Sequence, residues 1–150
     1  MVVVLVASQV LIPSLGERRV EDRLTEGGGS AEVTLGAFPA ARLLFSHGEV
    51  VEVDRMVLVG RAPEARRYTL TEEPTLVHVP SPNQEISATH LEVRPGTGPD
   101  HGTAMVTDLG STNGTVLVMP GEHPEDLHPG IPVALVPGAV IDLGDGVTIQ

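Results

Sequence analysis

Residues 108–115 read Asp-Leu-Gly-Ser-Thr-Asn-Gly-Thr and lie between two apolar runs. Glycine, asparagine and hydroxyl-bearing residues are typical of tight turns, in which their side chains point toward one spot. Several hydrogen-bond donors without a cluster of carboxylates suit an oxyanion such as phosphate. We therefore expect a turn between two strands, with an anion-binding site at the turn.

Short apolar runs separated by glycine and proline make up the sequence on both sides of this turn. The 150 residues include 17 glycines and 13 prolines, which favours many short strands over long helices. Aromatic residues are only 2% of the chain, so the core has to be built from Val, Leu, Ile and Ala. The pattern predicts an all-β fold, an antiparallel β-sandwich of about ten to eleven short strands. The predicted strands span residues 42–45, 50–53, 56–59, 75–79, 91–94, 103–107, 116–119, 132–136, 140–143 and 147–150, with an exposed, mobile loop at 120–130.

The first 38 residues differ in composition from the rest of the chain. Residues 1–13 are apolar, residues 17–26 are charged, and residues 27–30 form a Gly-Gly-Gly-Ser break. The apolar start is too short to span a bilayer and lacks the basic segment of a secretion signal. We therefore predict an N-terminal extension or linker at 1–38, with room for an extra strand, and one domain at 39–150.

The overall charge restricts the classes of partner. The net charge is −11 and the pI is near 4.8, which argues against binding to nucleic acid or to an anionic membrane surface, and we expect no membrane insertion. Cysteine is absent, so disulfides, thiolate nucleophiles and cysteine-based zinc sites are excluded. This composition fits a reducing compartment, and we expect a cytoplasmic protein. Abundant Arg, Val and Pro with little Lys indicates a bacterial origin.

Two further motifs precede the 108–115 turn. Gly60-Arg61 ends one apolar run, and Ser87-Ala-Thr-His90 precedes another. In this order, the three motifs resemble those of the forkhead-associated (FHA) domain, and the run at 137–144 is similar to the last strands of that family. The resemblance covers about residues 41–150. It implies a sandwich of two twisted sheets that binds phosphothreonine peptides through loops at one end.

The resemblance also implies roles for individual residues. Arg61 would offer its guanidinium to phosphate oxygens, and Ser87 and Thr112 would donate hydroxyl hydrogens to them. Asn113 would hold the peptide backbone next to the phosphothreonine, since an amide both donates and accepts. In the family, the histidine of the second motif braces the loops, and His90 matches it.

Other residues of the motifs are expected to support the site. Gly60 ends its strand and lets the loop turn, and Gly114 is expected to have a positive φ. Asp108 and Ser111 are expected to accept hydrogen bonds from loop amides.

One position departs from the family pattern. Many members have arginine or another donor directly after the serine, whereas this chain has Ala88. Arg66, Arg67 and Thr89 are candidates for additional contacts to the phosphate or the peptide. The default interpretation of the two arginines is that of solvated surface charges.

Catalytic and metal-binding interpretations have little support. Ser87, Ser111, His90 and Asp108 are the residue types of a hydrolase triad, but no Gly-x-Ser-x-Gly motif accompanies them. The six histidines are scattered without a metal-ligand spacing. We expect no catalytic residue, no metal and no cofactor.

Two functions from different classes remain. The first is a phosphothreonine-peptide-binding module that recruits partners downstream of Ser/Thr kinase signalling, with a kinase or its substrates as the partner. The alternative is a phosphate-independent protein-interaction or scaffold domain of the same fold. Ala88 and the acidic composition favour the alternative, whereas Arg61, Ser87, Thr112 and Asn113 favour phosphothreonine binding more strongly.

Overall fold

The computed structural model describes residues 38–66 and 71–150. These residues contain eleven β-strands and one short 3-10 helix at Gly98–Asp100. None of the described helices is long and apolar enough to span a membrane. The strands are β1 Arg42–Leu44, β2 Val50–Glu52, β3 Val57–Gly60, β4 Thr75–His78, β5 Leu91–Pro95, β6 Ala104–Asp108, β7 Val116–Val118, β8 Glu125–Asp126, β9 Val133–Ala134, β10 Val140–Gly144 and β11 Val147–Ile149.

The strands form three sheets. One sheet has five strands in the order β9-β6-β5-β3-β4, a second has four in the order β11-β10-β7-β8, and β1 pairs with β2. A bridge between Phe45 and Ile149 joins the β1–β2 hairpin to the four-stranded sheet. The described strand pairs are antiparallel except β3 with β4, which run parallel. The predicted all-β sandwich is confirmed.

An aliphatic core fills the sandwich. Alternate residues of each long strand face it, such as Leu91 and Val93 of β5 and Ile141 and Leu143 of β10, all at most 2% exposed. Full burial of such a side chain contributes about 1.5–3 kcal/mol. The core therefore fixes the positions of the strand ends from which the loops leave.

The segment 120–130 is largely exposed, as predicted, but it is not a loop throughout. It contains β8, which pairs with β7 at the edge of the four-stranded sheet. Leu127, directly after it, is only 7% exposed and belongs to the core. The sequence does not reveal this strand because its two residues are acidic and exposed, which gives no apolar pattern. Charged residues are common at sheet edges, where they discourage pairing with other chains.

Some predictions concern residues outside the described part of the chain. The predicted extension at 1–38 lies outside it except for Phe38, and Arg67 lies outside it as well. Pro39–Gln150 form one compact unit. The role of the residues before it stays a prediction.

Candidate functional site

Three loops leave the five-stranded sheet at the same end. In the antiparallel pairs, Val59 lies opposite Leu91, and Leu91 lies opposite Asp108. The end of β3, the start of β5 and the end of β6 are therefore neighbours. The segments that follow Gly60 and Asp108 and the segment that ends at His90, which together carry the three sequence motifs, therefore meet at this end of the sheet.

Gly60 allows the first two loops to approach closely. A Cβ atom at this position would collide with the backbone carbonyl of Ala88. Without it, the Arg61 N–H donates to the Ser87 carbonyl at 3.2 Å and the Ala62 N–H donates to the Ala88 carbonyl at 3.0 Å. The glycine thus lets the backbone of Arg61 lie beside that of Ser87.

The Arg61 side chain is exposed, but a hydrogen bond fixes the orientation of its guanidinium. Its Nε–H donates to the carbonyl oxygen of Ile86 at 3.0 Å. This bond leaves the two Nη groups of the guanidinium for other acceptors. Within residues 38–66 and 71–150, Arg61 takes part in no ion pair.

Ser87 and Thr112 lie next to each other, although they come from different loops. The Thr112 N–H donates to the Ser87 hydroxyl oxygen at 3.0 Å. That hydroxyl accepts one hydrogen bond here, so its own hydrogen can be donated elsewhere. Ser87 is half-buried and Thr112 is exposed, which leaves their side chains within reach of a ligand.

Asn113 connects the same two loops. Its Nδ2 donates to the Glu85 carbonyl at 2.9 Å, and the residue is exposed. One N–H and the amide oxygen are left over from this bond. The amide is thus anchored while still able to donate to, and accept from, a second backbone.

His90 is fully buried behind the loops and links them. Its Nδ1 accepts the Ser87 N–H at 3.1 Å. Its Nε2 lies 3.1 Å from the Gly114 carbonyl and 3.0 Å from the Thr115 hydroxyl. Because a carbonyl only accepts, the ring proton is on Nε2. Burial lowers the pKa of His90, only partly offset by the Gly114 hydrogen bond and the charge of Asp108, so the ring is neutral near pH 7.

Asp108 organises the third loop from inside. Its Oδ1 accepts the N–H groups of Gly110 at 2.8 Å and Ser111 at 2.9 Å, and its Oδ2 accepts the hydroxyls of Ser111 and Thr115, both at 2.6 Å. Burial raises the pKa of Asp108, but these hydrogen bonds together outweigh burial and lower it. Ser111 also accepts the N–H of Gly114, whose φ of 87° is readily adopted only by glycine.

A cavity of about 590 Å³ borders Ser87 on one flank of the site, and Ala88, Thr89 and Arg66 line it. The Thr89 hydroxyl accepts the backbone N–H of Glu64 at 3.1 Å, which ties the first loop to the second. The Arg66 guanidinium is largely exposed and lies 3.6 Å from the Glu64 carboxylate. Thr89 and Arg66 therefore line the same cavity as Ser87, which also borders Leu109 and Gly110 of the third loop.

Sequence reasoning missed the contribution of the β10–β11 turn. In the structure, the Asp145 carboxylate accepts hydrogen bonds from residues in the stretch 81–85, in the loop that carries Ser87. About 60 residues separate the partners along the chain, so no local pattern signals the contact.

The part of the chain that the structure describes contains no group of three or more histidine, aspartate or glutamate side chains placed to hold a metal ion.

Comparisons with known proteins agree with the fold. The family model of the FHA domain matches residues 57–144. The solution structure of the FHA domain of an Arabidopsis thaliana hypothetical protein is 26% identical, with a TM-score of 0.50, over 76% of this chain and 85% of that chain. The crystal structure of the MEK1 FHA domain in complex with a HOP1 phosphothreonine peptide is 23% identical, with a TM-score of 0.51, over 74% of this chain and 93% of that one. Among curated proteins, none matches this chain. The family match covers more than half of the chain and includes all three motifs, so this protein belongs to the FHA domain family.

Proposed function

We propose that this chain is a phosphothreonine-peptide-binding module that recruits partner proteins downstream of Ser/Thr kinases. The observation that carries the proposal is the convergence of three loops on one spot. There the Arg61 N–H bonds the Ser87 carbonyl, and the Ser87 hydroxyl accepts the Thr112 N–H. The backbone positions that carry three side chains with the right chemistry for phosphate are thus neighbours, which supports the proposal.

The donors suit a phosphoryl group. Phosphothreonine carries about −1.5 to −2 charges and three strongly accepting oxygens. The two Nη groups of Arg61 can bind two of these oxygens in a fork, while Ser87 and Thr112 each donate a hydroxyl. Each charge-assisted bond contributes about 1.5–3 kcal/mol, and after the cost of ordering the peptide an affinity on the order of micromolar results.

The buried network behind the loops supports binding through geometry. Neutral His90 adds no charge, but it connects the second loop to the third through Ser87 and Gly114. Asp108 fixes the backbone of the third loop before any ligand arrives. A site organised in advance loses less conformational entropy on binding, which favours affinity.

The same chemistry supports a proposal for the class of partner. The MEK1 FHA domain, with which this chain shares its fold, was solved with a phosphothreonine peptide. For this chain we propose a Ser/Thr kinase or one of its substrates, encountered in the cytoplasm of a bacterium. The net charge of −11 supports a protein partner over nucleic acid or membrane lipid.

The test is competition between matched peptides. A phosphothreonine peptide library and its unphosphorylated twin are titrated against the protein by fluorescence anisotropy, with a phosphoserine version as a third arm. Loss of the phosphate removes at least two charge-assisted bonds, so the unphosphorylated peptides are expected to bind at least about a hundredfold more weakly. Equal affinity for both forms would contradict the proposal and favour the phosphate-independent interaction domain.

A further inference from the structure

In the β10–β11 turn, the carboxylate of Asp145 accepts hydrogen bonds from the stretch 81–85. Asp145 Oδ2 accepts the Ser81 hydroxyl, the Asn83 N–H at 3.2 Å and the Glu85 N–H at 3.1 Å, while Oδ1 accepts the Asn83 side-chain amide at 2.7 Å. In return, the Asp145 N–H donates to the Glu85 carboxylate at 3.1 Å. A single carboxylate thus accepts hydrogen bonds from three residues of this stretch.

The far end of that stretch faces two of the proposed peptide contacts. The Ser81 hydroxyl, which donates to Asp145, also accepts the Ile86 N–H at 3.0 Å. The carbonyl of Ile86 accepts Arg61 Nε at 3.0 Å, and the carbonyl of Glu85 accepts Asn113 Nδ2 at 2.9 Å. At most two residues therefore lie between the Asp145 carboxylate and the guanidinium.

We infer that Asp145 is a positioning residue for peptide binding. It fixes the stretch 81–86, and this stretch presents two backbone carbonyls that orient Arg61 and Asn113. The part of the inference that concerns the peptide rests on the proposed function. The orientation of the two side chains is a property of the free protein.

The backbone explains why this stretch needs such an anchor. Gln84 has a φ of 58°, in the left-handed region that non-glycine residues rarely adopt. Surrounding contacts have to hold such a residue in place. The hydrogen bond from Ser81, followed by the backbone and side-chain donors of the same stretch, lowers the pKa of Asp145, so the carboxylate is ionised near pH 7 and accepts strongly.

The first arm of the test uses the free protein. Asp145 itself has a φ of 52°, so Asp145→Gly removes the carboxylate at a backbone geometry that glycine tolerates. NMR signals of the Arg61 Nε–H and the Asn113 side-chain amide report on the two orienting bonds. We expect both signals to shift and the exchange of the Arg61 Nε–H to accelerate at least about tenfold. Asp145→Asn keeps one acceptor oxygen, so its NMR shifts and its Arg61 Nε–H exchange rate should lie between those of the wild type and Asp145→Gly.

A matched control is available in the same hairpin. Asp142 is exposed, and its carboxylate accepts the N–H of Gly144 within its own hairpin. Asp142→Asn therefore removes one negative charge near the same place without removing a bond to the stretch 81–86. The Arg61 and Asn113 signals should stay at their wild-type positions.

The second arm measures peptide affinity in a double-mutant cycle. Asp145→Gly should weaken phosphothreonine-peptide binding about five- to tenfold, and clearly less when Asn113→Ala is already present, because the two changes share one pathway. Arg55 pairs with Asp54 before β3 begins and has no part in this pathway, so Asp145→Gly should weaken binding equally with and without Arg55→Ala.

Each outcome decides something specific. Unchanged Arg61 and Asn113 signals in Asp145→Gly would overturn the inference, whatever happens to the peptide. If the wild type ignores the phosphate, the proposed function fails, while the NMR arm still decides the role of Asp145. Should Asp145→Gly not fold, the same signals are read in Asp145→Asn, where an absence of any shift is again a refutation.

Discussion

Arg61→Ala gives the most direct test of the site. The variant removes both Nη groups, and with them two charge-assisted bonds to phosphate worth about 1.5–3 kcal/mol each. The sum is at least about 3 kcal/mol, which weakens binding by more than about a hundredfold. A wild-type Kd near one micromolar would therefore rise beyond about 100 μM. Arg61→Lys keeps the positive charge but loses the two-pronged geometry of the guanidinium. Its peptide affinity should therefore lie between those of the wild type and Arg61→Ala.

Stability should change little in the same variant. Arg61 is exposed, and among the described residues the side-chain bond lost is that from Nε to the Ile86 carbonyl. Such a bond contributes about 0.5–1.5 kcal/mol, with the lower end expected at the surface. Isothermal titration calorimetry with a phosphothreonine peptide and urea denaturation of the same sample measure both quantities.

Arg55→Ala provides the control for net charge. Arg55 pairs with Asp54 at 3.2 Å just before β3 begins, at the opposite end of that strand from Gly60. Arg55→Ala should alter peptide affinity by less than about twofold, because water and salt screen an exposed charge at the far end of β3 from the candidate site. An Arg61→Ala protein that binds within about threefold of wild type, or one that unfolds, would refute the assigned role.

Further predictions concern the frame and the ligand. Gly60→Ala should lower the free energy of unfolding by about 2–4 kcal/mol in urea denaturation, since its methyl group would collide with the Ala88 carbonyl and break the neighbouring backbone bonds. The lowered pKa of His90 means that the unfolded chain takes up a proton below about pH 6.5 while the folded chain resists it, so stability should fall from pH 7 to pH 5. His90→Gln, although less stable overall, should show a flatter dependence in the same denaturation series. Asn113→Ala should weaken binding by an amount that varies between peptides, and a uniform loss across a peptide panel would contradict its contact with the peptide backbone. Phosphothreonine should bind more tightly than phosphoserine in titrations of matched peptides, because its methyl group can fill a small apolar pocket.

The sequence predicted most of the architecture because the relevant signals are local. Alternating residues such as Leu91 and Val93 and the glycine-containing turns mark strands without knowledge of their partners. The all-β sandwich and the FHA resemblance are confirmed. The parallel pairing of β3 with β4 was not predicted, because register between strands depends on the whole sheet.

The site was accessible to sequence reasoning only in part. Ordered motifs pointed to the side chains that we propose bind the phosphate, since Arg61, Ser87 and Thr112 belong to recognisable patterns. The carbonyls of Glu85 and Ile86 that orient Arg61 and Asn113 were not predictable, because every residue has a carbonyl. The anchoring by Asp145 depends on hydrogen bonds across about 60 residues, which only the folded chain brings together.

The closure of the sandwich has a consequence for how the chain acquires its shape. Leu44 and Gln150 exchange two backbone hydrogen bonds, at 2.8 and 2.9 Å, beside the bridge from Phe45 to Ile149. On the ribosome, the β1–β2 hairpin emerges before the other described strands, whereas its partner β11 follows all of them. The sandwich can therefore be completed only after β11 has been synthesised. Domains with many such distant strand pairings fold in about milliseconds to seconds. All three loops of the candidate site lie between β1 and β11 in the sequence. Under the proposed function, a nascent chain therefore binds phosphorylated partners only after translation has passed β11.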